Sequence, residues 1–145
     1  MDRPLRVAIN GFGRIGRSVF KAMVNKPQLE VAAVNDLTDN LTLAHLLQYD
    51  SCYGRYDHTV SYDDDSIIVD GHHYLALAEK DPSKLPWSKL GIDVVIESTG
   101  RFTKGEEALA HVQAGAKKVI ISAPAKDEST KTIVLSVNEA ELQVS

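Results

Sequence analysis

With 145 residues, 43% of them hydrophobic, and a net charge of −4, the chain is long enough for one domain with a real core. Its Lys and Arg residues are scattered, which excludes the basic stripe that nucleic-acid binding requires, and no apolar run approaches the roughly 18 residues of a membrane span. A single cysteine, Cys52, excludes an intrachain disulfide and fits a reducing, cytoplasmic setting, and the N-terminus lacks the layout of a secretory leader.

Residues 5–9 are short, apolar and β-branched, which predicts a buried parallel strand. Residues 14–24 predict a helix, with Ile15, Val19, Ala22 and Met23 facing the sheet, closed near Pro27. A second strand follows over 30–34. Asn40 is placed to cap a second helix, with Leu43, Leu46 and Leu47 as its apolar stripe. From His58 to Leu77 the texture changes to short runs, 59–62, 66–69 and 73–77. The solvated Asp63-Asp64-Asp65 turn and Asp70-Gly71 divide them, and they read as antiparallel hairpins inserted into the frame. Asp81-Pro82 and Leu85-Pro86-Trp87 mark turns. Then come a strand over 92–97, a helix over 105–114 stopped at Gly115, a strand over 118–122 and a last strand over 132–137. Strands alternating with helices predict an α/β, doubly wound, mostly parallel sheet with a small antiparallel hairpin insertion. With no repeat, low-complexity segment or linker, residues 1–145 read as one domain.

The first strand runs into Asn10-Gly11-Phe12-Gly13-Arg14-Ile15-Gly16, a G-x-G-x-x-G spacing that opens directly into the first helix. In that context each glycine has its own physical role. Gly11 makes the tight turn, Gly13 lets the backbone approach a pyrophosphate, and Gly16 lets the helix lie close on the strand. The amides around Arg14 and Ile15 then stand at a helix N-terminus, where unpaired donors and the helix dipole favour a phosphate. Glycines serving packing alone are the alternative reading. Asp36 lies twenty residues after Gly16, at the end of the second strand. A carboxylate there accepts hydrogen bonds from adenosine ribose hydroxyls. Leu37 follows, with no Lys or Arg beside it in sequence to receive a 2′-phosphate, so the local chemistry favours NAD over NADP. Ser98-Thr99-Gly100 and Ser122-Ala123-Pro124 end later strands, on the side where an open parallel sheet binds its ligand. Ordinary strand-to-loop punctuation explains them equally well.

Cys52 and the histidines at 45, 58, 72, 73 and 111 show no catalytic or metal-ligand spacing. Cys52 reads as an ordinary thiol, the histidines as structural or solvent-facing, and no catalytic or metal site is expected.

The run Val7-Ala8-Ile9-Asn10-Gly11-Phe12-Gly13-Arg14-Ile15-Gly16-Arg17 resembles the N-terminal signature of the phosphorylating glyceraldehyde-3-phosphate dehydrogenases. The resemblance continues in order through Val34-Asn35-Asp36-Leu37, Leu47-Gln48-Tyr49-Asp50-Ser51, Lys80-Asp81-Pro82, Trp87 and Val94-Val95-Ile96-Glu97-Ser98-Thr99-Gly100. Phe102-Thr103, residues 114–125 and Val137-Asn138 complete it, over essentially the whole chain.

The resemblance implies a Rossmann-type NAD-binding domain. In it Arg14 and Ile15 contact the pyrophosphate through their backbone, Asp36 holds the adenosine ribose, and Lys80 offers a backbone carbonyl near the adenine. Ser98, Thr99, Gly100 and Phe102 line the adenine side, Ser122 lies toward the nicotinamide, and Asn10, Phe12, Asn35 and Leu37 complete the cofactor-binding set. It also implies a homotetrameric whole enzyme that takes glyceraldehyde 3-phosphate and phosphate. The family's nucleophile lies in a Ser-Cys-Thr-Thr-Asn stretch, which does not occur among these residues, so the chain alone is expected to bind NAD without catalysis. Erythrose-4-phosphate dehydrogenase, a sibling enzyme, and a free-standing nucleotide-binding interaction module are the alternatives.

Overall fold

The computed structural model of the chain describes residues 3–50, 54–101 and 105–122. The strand expected over 132–137, together with Cys52 and Phe102, lies outside them. The elements run β1 (Leu5–Asn10), α1 (Arg14–Met23), β2 (Leu29–Asn35), α2 (Asn40–Gln48), the two-residue strands β3 (Tyr49–Asp50) and β4 (Gly54–Arg55), then β5 (Val60–Tyr62), β6 (Ser66–Val69) and β7 (His72–Leu77). A 3₁₀ turn (Pro82–Lys84) and the short helix α3 (Trp87–Leu90) lead to β8 (Val94–Glu97), α4 (Gly105–Gln113) and β9 (Lys118–Ile121).

Among the described residues, seven strands form one sheet in the order β5-β6-β7-β2-β1-β8-β9, while β3 and β4 pair as a separate ribbon. The pairs among β7, β2, β1, β8 and β9 are all parallel, and those of β5 with β6 and β6 with β7 are antiparallel. The hairpins are therefore no appendage to the frame. β7 returns alongside β2, with Ala33 opposite Leu75 and Asn35 opposite Leu77, and is the third strand of the parallel core. What makes this possible is the Asp70-Gly71 turn, whose two residues both have positive φ (50° and 83°). That is the backbone a two-residue hairpin needs to match the twist of its strands.

Alternation along β1 divides the core in two. Val7 and Ile9 join Phe12, Phe20, Leu43 and Leu47 on one face, and Ala8 joins Ala33, Trp87, Ile92 and Val95 on the other. Small residues at 8 and 33 leave room for Trp87, which is fully buried. The apolar face expected for α1 holds at Val19 and Met23, which pack against the core, and is corrected at Ile15, which is 53% exposed, and at Ala22, also exposed; Gly16 and Phe20 are its fully buried residues. The helix enters with its first turn at the open rim of the sheet, so its packing stripe starts at Gly16 rather than Ile15. The cap of α2 is likewise one residue earlier than expected. Asp39 accepts from the Thr42 amide at 2.8 Å, and Asn40 is already helical.

At the opposite end of the sheet Asp93 forms a clasp. Its buried carboxylate accepts two bonds from Arg3 (2.7 and 2.9 Å) and one from the Arg6 amide (2.9 Å), and pairs with Lys117 at 3.1 Å. The Arg3 guanidinium first, then the Arg6 amide, hold this carboxyl well below the usual carboxylate range. A depressed folded-state value means that the clasp's contribution is complete above the unfolded value near ~4 and declines as pH falls below it. Asp93→Asn should therefore cost about 2 kcal/mol at neutral pH, a drop of roughly 5 °C in Tm. Thermal melts of variant and parent should converge steadily between pH 5 and pH 2. A gap that stays constant over that range would show that the charge is not what stabilises.

Candidate functional site

At the carboxyl ends of β1, β2 and β8 the sheet opens into a cleft of about 280 Å³. Asn10, Gly11 and Gly13 form its floor, Asn35, Asp36 and Leu37 one side, and Ser98, Thr99 and Arg101 the other, with Glu79 and Lys80 closing it from the loop after β7. It lies where strand order reverses direction around β1, the position at which open α/β sheets bind ligands.

The three glycines differ in what holds them. Gly11 has φ +92°, and a Cβ there would stand 2.7 Å from the Thr99 nitrogen. A Cβ on Gly16 would stand 2.1 Å from the Gly11 carbonyl oxygen and 3.1 Å from Ile9 Cγ2. Turn geometry and helix–strand packing account for these two. Gly13 is exposed, its φ is an ordinary −79°, and a Cβ there would meet nothing within 4 Å. Neither the fold nor the backbone demands a glycine at 13, and the space it leaves lies over the first turn of α1. That turn has no side-chain cap and no acidic residue. Its first amides lack partners within the helix and can receive an anion.

Asp36 is half-buried at the end of β2. Its Oδ2 accepts from the Phe12 amide at 2.7 Å and its Oδ1 from the Thr38 amide at 2.9 Å. A carboxylate has about four acceptor positions, so two remain for a diol while the group is held rigid. Ser98 Oγ donates to the Gly11 carbonyl at 2.7 Å and so ties the glycine turn to the end of β8.

The structure gathers Asn10, Gly11, Gly13, Asn35, Asp36, Leu37, Lys80, Ser98 and Thr99 around one cleft. Arg14 and Ile15 are exposed at the start of α1, just beyond it, Gly16 is buried beneath the turn, and Gly100 is exposed at the rim. Phe12 contributes its amide to Asp36, while its ring is buried edge-on against Phe20 in the core. Ser122 is exposed after β9, its amide bonded to the Glu97 carbonyl, and is not among the residues lining the cleft. The sequence shows no basic residue near Asp36, yet the fold brings Lys80 and Arg101 to the same cleft. Arg101, which stands on the adenine side where the resemblance has a small or apolar residue, is at the rim of the cleft, while Glu79, 43 residues from Asp36 in the chain, is a lining residue that sequence reading missed.

Behind the cleft is a buried polar network that the sequence does not announce. Glu97, 1% exposed, accepts from Asn10 Nδ2 (2.6 Å) and His111 Nε2 (2.8 Å) on one oxygen, and from the Thr99 amide (3.0 Å) and hydroxyl (2.6 Å) on the other. Burial alone pushes its carboxyl up. The bonds from His111, Thr99 and Asn10 together outweigh that and hold it below its usual value. Trp87 Nε1 donates to His111 Nδ1 at 2.9 Å. An indole N–H can only donate, so Nδ1 is unprotonated and Nε2 carries the proton it gives to Glu97.

The family described as "Glyceraldehyde 3-phosphate dehydrogenase, NAD binding domain" matches residues 5–105. The chain is 58% identical over 135 residues to the glyceraldehyde-3-phosphate dehydrogenase of Geobacillus stearothermophilus, covering 93% of this chain and 40% of that protein. It is 58% identical over 135 residues to glyceraldehyde-3-phosphate dehydrogenase 1 of Bacillus subtilis, with the same coverage. With the Thermotoga maritima glyceraldehyde-3-phosphate dehydrogenase it shares 56% over 140 residues, 95% of this chain and 42% of that protein. The chain thus spans about 40% of the length of these relatives. Their names do not favour the erythrose-4-phosphate alternative. The matched model is that of the family's NAD-binding domain and covers the glycine turn, β2 and β8 that frame this cleft, and the chain belongs to the glyceraldehyde-3-phosphate dehydrogenase family.

Proposed function

We propose that NAD binds in the cleft at the carboxyl ends of β1, β2 and β8. The observation that carries this reading is the empty space at Gly13, which the fold does not need and a pyrophosphate would fill. In it the amides around Arg14 and Ile15 hold the pyrophosphate, and the two free acceptor positions of Asp36 hold the adenosine ribose hydroxyls. Asn10, Gly11, Phe12, Gly16, Asn35 and Leu37 build the floor and the ribose side around them. The walls from Lys80 and from Ser98, Thr99 and Gly100 enclose the adenine, and Ser122 lies toward the nicotinamide. A carboxylate at 36 repels a 2′-phosphate, so NAD is preferred to NADP.

Bound NAD supplies a hydride acceptor. The residues of this chain bind and orient it. For the whole protein we propose oxidation of glyceraldehyde 3-phosphate with phosphate to an acyl phosphate, in a cytoplasmic homotetramer. That chemistry needs a thiolate with a base in hydrogen-bond reach and a site for the substrate phosphate. Cys52 is the single thiol here, and no motif pairs it with a histidine, so residues 1–145 act as an NAD-binding domain without turnover.

Calorimetric titration of the 145-residue chain should show NAD binding and clearly weaker NADP binding, and Gly13→Ala should weaken NAD roughly tenfold with Tm unchanged. Equal affinity for the two cofactors, or full affinity in Gly13→Ala, would remove the basis for this site. In the same preparation NADH absorbance should not rise with glyceraldehyde 3-phosphate, NAD and phosphate. A rise that Cys52→Ser abolishes would make Cys52 a nucleophile after all.

A further inference from the structure

We infer that Glu97 is a positioning residue for the cofactor cleft, fixing both of its walls from behind. The inference rests on NAD occupying that cleft, and it assigns a task to a buried carboxylate that does not line it.

Toward β2 the chain of bonds is directional. A carboxylate can only accept, so Asn10 must turn its Nδ2 toward Glu97 Oε1, 2.6 Å away. That leaves Asn10 Oδ1 to accept from Asn35 Nδ2 at 2.8 Å. The orientation of Asn35 is thereby also set. Its Nδ2 donates to the Glu79 carbonyl (2.9 Å) and its Oδ1 accepts from the Glu79 amide (2.9 Å). Both backbone polar groups of Glu79 are clasped, and the loop carrying Glu79 and Lys80 is held as one wall of the cleft.

Toward the other wall, Glu97 Oε2 takes both the amide and the hydroxyl of Thr99, and Thr99 Oγ1 in turn accepts from the Arg101 amide at 3.1 Å. The loop after β8 is thus folded back over its own strand end. Asn10, Asn35 and Glu97 are each at most 3% exposed. In so dry a place each bond is strong, and a reversed amide costly.

His111, fully buried on α4, completes the set. With its proton fixed on Nε2 by Trp87, it donates to Glu97 Oε1. Every bond needed to keep the carboxylate charged and in place then comes from a residue whose own orientation is determined.

The test separates positioning from packing. Glu97→Gln keeps size and shape but turns an amide N–H₂ toward donors. It should raise the Kd for NAD roughly tenfold or more, measured well below the variant's Tm. His111→Gln can still present an acceptor to Trp87 and a donor to Glu97, and should bind NAD within about threefold of the parent. His111→Phe keeps a ring in the same space without either bond, and should bind roughly tenfold more weakly. A packing role predicts the reverse order for these two. Asp93→Asn, at the far end of β8, is the control and should lower Tm with the Kd unchanged. If Glu97→Gln does not fold, the His111 pair decides alone. Parent-like Kd in folded Glu97→Gln, or Phe binding as well as Gln at 111, overturns the inference while leaving the cofactor site intact. A parent chain that fails to bind NAD overturns both.

Discussion

Gly16→Ala should cost about 3 kcal/mol or more, the upper range for overpacking, and lower Tm by roughly 10 °C. The added methyl would stand 2.1 Å from a backbone oxygen, that of Gly11, so no side-chain rotation can relieve it. Either α1 lifts off β1 or the glycine turn opens, and both displace the helix N-terminus. NAD affinity should therefore fall together with stability. Gly13→Ala provides the contrast, since its methyl enters open space. A thermal melt of the two variants side by side is the measurement. If Gly16→Ala melts with the parent, the close approach of helix and strand is not a constraint on this fold.

Asp36→Ala should weaken NAD binding by roughly 1–3 kcal/mol, the range for hydrogen bonds to a charged acceptor in a shielded site, or about 5- to 150-fold in Kd. Two effects add. The ribose acceptors are lost, and the amides of Phe12 and Thr38 lose the oxygens that orient the glycine turn and the end of β2. The gap between NAD and NADP should narrow as well, because repulsion of a 2′-phosphate disappears while Lys80 and Arg101 line the same cleft. Calorimetry with both cofactors, on protein shown to be folded by circular dichroism, checks this. Unchanged NAD affinity in the variant would remove Asp36 from the ribose site.

What could be read from sequence was local. Gly11, Gly13 and Gly16 sit within six residues, and their spacing states a turn, an approach and a packing contact at once. Asp36 ends an apolar run whose length sets its position. The parallel frame follows from alternating strands and helices. What could not be read depends on residues far apart in the chain. Glu97 and His111 are an acid inside a strand and a histidine on a helix face, and nothing in either segment says that they meet. The side of β2 on which the hairpins would fall was equally hidden, because a short antiparallel run looks the same as an insertion or as the next strand of the sheet. At α1 the apolar period included Ile15, which rim geometry leaves in solvent. Asn40 and the true cap Asp39 are both good capping residues, and only the bond to Thr42 distinguishes them.

The position of β1 has a consequence for how the chain is made. It precedes every other strand of this sheet in the chain and lies inside the sheet, between β2 and β8. Its pairing with β8 joins Asn10 to Glu97, and the Arg3–Asp93 clasp closes the same span. At ribosomal speeds of about 5–20 residues per second, roughly 4–18 s separate the emergence of these partners. Until then one edge of β1 and the face at Ala8, which Trp87, Ile92 and Val95 later cover, stand open. Contacts of such long sequence separation also slow refolding. Any nascent or refolding chain that has not yet acquired β8 therefore exposes an unpaired edge of β1, and at that stage chaperone capture or aggregation competes with folding.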